Sequence, residues 1–179
     1  MNDTITVNFV QSSTSIGVPT GTLTYSYQVP GATSKTAGTL TLPNNTFQIS
    51  GLVGGEYSIG VRYSGDSNYL PTSGSTIVNV SKSAPAVTVK ASSNPGAAGL
   101  SDTATVEVSE SATGYPPTGT ISYSYLLPGN DIPVTGTVTL PSDTIALEKL
   151  VEGIYVISAT YSGDARYASA KGVLDLPVD

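Results

Sequence analysis

The side chains able to carry chemistry are few in kind. The 179-residue sequence has no histidine and no cysteine. Thiol nucleophiles, disulfides, zinc centres and imidazole acid–base catalysis are therefore excluded. A carboxylate pair can still cleave a glycoside, and a Ser–Lys pair can still form a covalent intermediate. Calcium takes roughly six to eight oxygens, mostly from carboxylates at short spacing. Asp66 and Asp164 each stand alone after a glycine (Gly65 and Gly163), so they read as turn residues whose carboxylates accept backbone N–H bonds. Asp102, Glu107 and Glu110 are the nearest thing to an acidic group, but Asp102 and Glu107 fall on opposite faces of a straight strand. Lys35, Lys82 and Lys171 fall in loop-like stretches, away from the inward position that an isopeptide cross-link needs. These residues predict no catalytic set, no metal and no cofactor.

The eleven tyrosines raise a different chemistry, since phenol faces stack on sugars and bases. Ten of them form pairs at one spacing: Tyr25 with Tyr123, Tyr27 with Tyr125, Tyr57 with Tyr155, Tyr63 with Tyr161 and Tyr69 with Tyr167. Residues kept in register like this suit a scaffold. Tyr115, beside Pro116 and Pro117, has no such counterpart and is the candidate contact for a partner or glycan.

The elements that would position these residues come in two copies. Pro19-Thr20-Gly21-Thr22-Leu23-Thr24-Tyr25-Ser26-Tyr27 returns 98 residues later as Pro117-Thr118-Gly119-Thr120-Ile121-Ser122-Tyr123-Ser124-Tyr125. Gly38–Pro43 and Tyr63-Ser64-Gly65-Asp66 return at the same spacing. Within each copy apolar residues alternate with polar ones, as in Leu23, Tyr25, Tyr27 and Val29, or Tyr57, Ile59, Val61 and Tyr63. Period two predicts half-buried strands, and no helical pattern competes with it. The 19 glycines and 12 prolines fall mostly at the turns between. Two all-β domains of antiparallel strands follow, residues 1–83 and 84–179, joined at Ser81-Lys82-Ser83-Ala84-Pro85.

Seven basic and 13 acidic residues give a net charge of −6. All of the surplus lies in the second domain, because Asp3, Glu56 and Asp66 balance Lys35, Arg62 and Lys82 in the first. This acidity argues against nucleic acid as a partner. No apolar run reaches the length of a membrane span, and Met1-Asn2-Asp3-Thr4 lacks the character of a signal peptide.

Two motifs narrow the fold. Leu52 and Tyr57, then Leu150 and Tyr155, repeat one spacing with glycine just before the strand. This resembles the tyrosine corner of Ig-type sandwiches, in which the phenol hydroxyl returns to the backbone upstream. With Tyr-Ser-Gly-Asp and Pro-Thr-Gly-Thr, the chain resembles bacterial Ig-like repeat domains from Thr4 to Val178. The resemblance implies two tandem Ig-like antiparallel β-sandwiches of Greek-key type. It also implies a non-enzymatic display or interaction module at a bacterial cell surface. A decoration or fibre protein on a phage virion is the alternative setting, and a carbohydrate-binding module a second alternative. One departure matters for function. The second copy opens with Val87-Thr88-Val89-Lys90 ahead of Thr103–Val108, whereas the first begins directly on the counterpart of the later strand. The first domain thus lacks its initial strand. Ile5, Val7 and Phe9 are expected to form an open attachment edge for a protein partner or for self-association.

Overall fold

A computed structural model of the chain describes residues 2–10, 17–109 and 114–179. The chain divides into two compact units, Met1–Ser81 and Lys82–Asp179. The division falls slightly ahead of the boundary drawn from the sequence because the second unit holds Ser83. The Ser83 N–H donates to the Arg166 carbonyl at 2.8 Å, and the Ala168 N–H donates to the Ser83 carbonyl at 2.8 Å.

The first unit contains β1 (Asn2–Thr6), β2 (Thr22–Gln28), β3 (Thr36–Thr41), β4 (Thr46–Ser50), β5 (Gly55–Tyr63) and β6 (Thr72–Val80). The second contains β7 (Val87–Ala91), β8 (Asp102–Val108), β9 (Thr120–Tyr125), β10 (Val134–Thr139), β11 (Thr144–Leu147), β12 (Gly153–Tyr161) and β13 (Ala170–Val178). Two sheets face each other in each unit. In the second unit β11-β8-β7 lies against β10-β9-β12-β13, and in the first β1-β4 lies against β3-β2-β5-β6. All the pairings between these strands are antiparallel. The chain changes sheet between β8 and β9, between β10 and β11, and between β11 and β12, as a Greek-key sandwich requires. The fold is two tandem Ig-like sandwiches.

Alternation built these strands as expected. On β4, Phe47 and Ile49 are buried while Thr46, Gln48 and Ser50 are exposed. On β12, Tyr155, Ile157, Ala159 and Tyr161 turn inward. The strands β3 and β10 carry a fainter mark in the sequence. They are threonine-rich and mostly exposed, and in each a glycine takes one inward place of the alternation that Leu40 or Val138 continues. Their inward glycines have a steric reason: a Cβ on Gly38 or Gly136 would land on the hydroxyl of Tyr25 or Tyr123, the residue paired across the sheet. Lys171 also departs from expectation. It stands on β13 opposite Thr160 rather than in a loop, with its side chain exposed.

The units differ where the sequence differs. Ile5 pairs with Phe47, and Ala104 pairs with Ile145, so β1 is the counterpart of β8. Nothing among the described residues of the first unit corresponds to β7. In the second unit, β7 pairs with β8 from Val87↔Val108 to Ala91↔Ala104. The segment after β7 then reaches β13, where the Gly96 N–H donates to the Pro177 carbonyl at 2.9 Å and the Asp179 N–H to the Gly96 carbonyl at 3.1 Å. The core records the difference. Ala159, Tyr167, Leu176 and Val178 are buried, whereas their first-unit counterparts Val61, Tyr69, Val78 and Val80 are only partly buried.

Candidate functional site

Three features hold the residues singled out by sequence: a double turn, the tyrosine corner and an open sheet edge. The turn joins two motifs 46 residues apart. One oxygen of Asp66 accepts the Thr20 N–H at 2.7 Å and the Thr20 hydroxyl at 3.0 Å. The other accepts the Asn68 N–H at 2.7 Å and the Tyr69 N–H at 2.8 Å. The Tyr63 hydroxyl donates to the Thr20 carbonyl at 2.6 Å, and the Thr22 N–H donates to Ser64 Oγ at 3.0 Å. Gly21 and Gly65 both have positive φ, and a Cβ on Gly21 would press on the Gly65 carbonyl. The Pro-Thr-Gly-Thr and Tyr-Ser-Gly-Asp motifs thus form one clasp. The second unit repeats it: Asp164 accepts from the N–H and hydroxyl of Thr118 and from the N–H groups of Arg166 and Tyr167, and the Tyr161 hydroxyl donates to the Thr118 carbonyl at 2.7 Å.

Four donors converge on each carboxylate, and the charge responds. Backbone N–H groups of Thr20 and Asn68 hold the Asp66 carboxyl well below the usual carboxylate range. At Asp164 partial burial opposes the charge, but the donors of Thr118, Arg166 and Tyr167 outweigh it and hold the carboxyl at about 2. Burial, followed by the nearby Asp164 carboxylate, pushes the Tyr161 phenol up to about 12. A lowered carboxyl pKa stabilises the fold above the unfolded value near 3.8, and that contribution is lost as pH falls toward about 2. The unfolding midpoint of the second unit should therefore drop as pH falls from about 4 to about 2. In Asp164→Asn the midpoint should be lower at neutral pH and its acid dependence flatter. Parallel acid curves for the two proteins, followed by circular dichroism, would remove Asp164 from this role.

At the corner, the Val53 N–H donates to the Tyr57 hydroxyl at 3.0 Å, and that hydroxyl faces the Val53 carbonyl at 3.3 Å. The Val151 N–H donates to the Tyr155 hydroxyl at 3.0 Å. Leu52 and Leu150 are buried beneath these bonds. Tyr115 is 38 % exposed. Its carbonyl accepts from the Tyr167 hydroxyl at 2.7 Å, and the Arg166 guanidinium covers one face of its ring at 4.2 Å. Sequence reasoning missed this pairing because Arg166 is 51 positions away, with no local signal. Among the acidic trio, Asp102 is buried and accepts from the Ser92 hydroxyl and the Ser93 and Thr103 N–H groups, while Glu107 pairs with Lys90 at 2.7 Å on the surface. Glu110 lies outside the described residues.

The third feature is the open edge beside β1, whose side chains pack inward on one flank only. Ile5, Val7 and Phe9 are partly buried, and Phe9 meets Tyr63 edge-on at 5.1 Å. These three, with Leu23, Ile59, Val61 and β6 residues Thr72–Thr76, line a groove of about 470 Å³. The Val7 N–H donates to the Asn45 carbonyl of the turn before β4 at 2.9 Å. Strand alternation then turns the backbone groups of Thr6 and Asn8 the other way, to the side on which β8 meets β7.

No protein-family model matches the chain, and no curated protein matches it. Solved structures do resemble it. One is a two-domain fibronectin type III segment of chicken tenascin, at 18 % identity and TM-score 0.46, covering 86 % of this chain and 83 % of that one. Another is the amphioxus IgVJ-C2 molecule, at 14 % identity and TM-score 0.40, covering 98 % and 96 %. A third holds the FN1-FN3 domains of chicken CNTN1, at 14 % identity and TM-score 0.37, where the match covers 99 % of this chain and 61 % of that one.

Proposed function

We propose that the chain is a non-enzymatic display and contact module of a bacterial surface protein, attached through its first unit. One observation carries this reading. No strand among the described residues covers the groove along Ile5, Val7 and Phe9, while the corresponding place in the second unit is closed by β7. A sheet edge left open beside apolar side chains favours addition of a further polypeptide. The second unit has a closed core and carries the acidic surplus, which suits the end that faces solvent. The clasps and corners absorb most of the singled-out polar residues into scaffold. The likeness to bacterial Ig-like repeats supports the surface setting.

The test uses the full chain on intact cells that produce it. A membrane-impermeant amine reagent should label the exposed Lys90 and Lys171. A photo-crosslinking residue at Asn8 should capture a partner, whereas one at the exposed Val156 should capture little. Unlabelled lysines on intact cells would overturn the surface setting. Capture through Val156 in preference to Asn8 would overturn attachment by the first unit.

A further inference from the structure

The second unit holds a different edge, independent of the attachment groove. Three of its four outer strands carry what blocks chance pairing: β7 has Lys90, β13 has Lys171, Asp175 and Pro177, and β11 is only four residues long. The fourth, β10, has none of these defences. It runs Val134-Thr135-Gly136-Thr137-Val138-Thr139, six residues without a charge or a proline, at the end of its sheet. We propose that this edge pairs with the same edge of a second copy, antiparallel about a two-fold axis at Gly136.

Backbone alternation selects the groups on offer. The Leu140 N–H donates to the Gly119 carbonyl at 3.0 Å, so Val138, Gly136 and Val134 also turn their backbone groups toward β9. Thr135 and Thr137 turn theirs to the outer edge, where no described residue pairs with them. From Val134 to Val138 the sequence reads the same in both directions around Gly136. Antiparallel pairing centred there sets Thr135 against Thr137 of the second copy, and Thr137 against its Thr135. Each such pair exchanges two backbone hydrogen bonds and lays threonine against threonine on the wet face. On the inner face Val134 meets Val138, and the close central pair is glycine on both sides. The Tyr123 hydroxyl of the same copy already fills the space of a Cβ at Gly136.

The ends of the strand fit the same register. Thr139 falls opposite Pro133 of the second copy. The Thr139 carbonyl already accepts the Ser142 N–H at 2.9 Å, and proline has no N–H to offer it. The absent donor therefore stands opposite the occupied acceptor. One step further out, Ile132, 78 % exposed, falls opposite Leu140. A shift of two residues spoils this match. It sets the free Thr137 carbonyl against Pro133 in one direction, and the Thr135 N–H against the occupied Thr139 carbonyl in the other. A strand of six residues makes a small interface, so the pairing is weak and depends on concentration.

The sequence has no cysteine, so single cysteines placed in the full chain can trap the pair and read its register. Directly opposed residues of a hydrogen-bonded pair have Cα atoms about 5.5 Å apart, within reach of a disulfide. Diagonal neighbours are about 7–8 Å apart, beyond it. In a thiol–disulfide buffer, Thr135→Cys chains mixed with Thr137→Cys chains should give the mixed dimer well above its statistical share. Thr135→Cys mixed with Thr39→Cys, the matching position of β3, should give no such excess. In the unmodified chain the Thr135 and Thr137 amides should gain protection from hydrogen exchange as concentration rises. Thr135→Lys combined with Thr137→Lys should remove that gain while leaving the melting temperature near its original value, since both side chains are exposed. A statistical mixture of dimers, or protection that ignores concentration, would overturn the proposal. So would an excess of either self-paired dimer, which means another register, or of the Thr39 pairing, which means that unlike units join.

Discussion

In rising denaturant the chain should unfold in two steps, the first unit well before the second. Both units share one plan, so the gap measures what a counterpart of β7 adds. Val61, Val78 and Val80 remain partly exposed where Ala159, Leu176 and Val178 are buried, and among the described residues β1 has no partner in the place that β7 takes beside β8. Completing the burial of several such side chains contributes on the order of 5 kcal/mol. Two compact units each lose structure cooperatively, so each has its own transition. Amide signals of Tyr57 and Tyr155, one beneath each corner, report them separately. Coincident midpoints, or earlier loss at Tyr155, would show that the open groove costs the first unit nothing.

Leu150→Ala should cost the second unit about 2–5 kcal/mol, and Leu52→Ala should cost the first unit an amount near the low end of that range. The two leucines occupy equivalent corner positions but different surroundings. Leu150 is 2 % exposed and its backbone is fixed on both sides, accepting from the Gly99 N–H at 2.7 Å and donating to the Leu100 carbonyl at 2.9 Å. Its side chain also lies under Gly96. Walls held this way cannot collapse into the space that a deletion leaves. Leu52 is 8 % exposed and has, among the described residues, no counterpart of the 94–100 segment above it, so its neighbours can relax. Each loss is read from the shift of that unit's own denaturation midpoint. A larger loss at Leu52 than at Leu150 would mean that the covering segment does not rigidify the corner.

These asymmetries are legible in the sequence to an unusual degree, for a simple reason. Internal repetition supplies a comparison within one chain, so the lack of a first-copy match for Val87-Thr88-Val89 can be read from the residues alone. Period-two burial likewise marks the strands that have one wet and one dry face. It is weakest for Thr36–Thr41 and Val134–Thr139, where threonine supplies β propensity and a glycine interrupts the apolar stripe that Leu40 or Val138 continues. The clasp is legible only as two separate motifs. Nothing local in Pro19-Thr20-Gly21 specifies that an aspartate 46 positions away will collect its N–H. The persistence of both motifs at one spacing in both copies is the available signal.

The short contact between Gly96 and Val178 has a consequence for a chain drawn out by its ends. The two residues run parallel, one near the beginning of the second unit and the other at its close. Tension pulls their segments in opposite directions along the strand axis, so the two hydrogen bonds of Gly96 are sheared together rather than opened one after another. Among its described residues the first unit has no such bridge between β1 and β6, which lie in different sheets and share no pairing. Load on that unit falls on the packing between its sheets. A strand seated in the groove beside β6 would bring backbone hydrogen bonds to that weak seam, so attachment would also set how much force the module can bear.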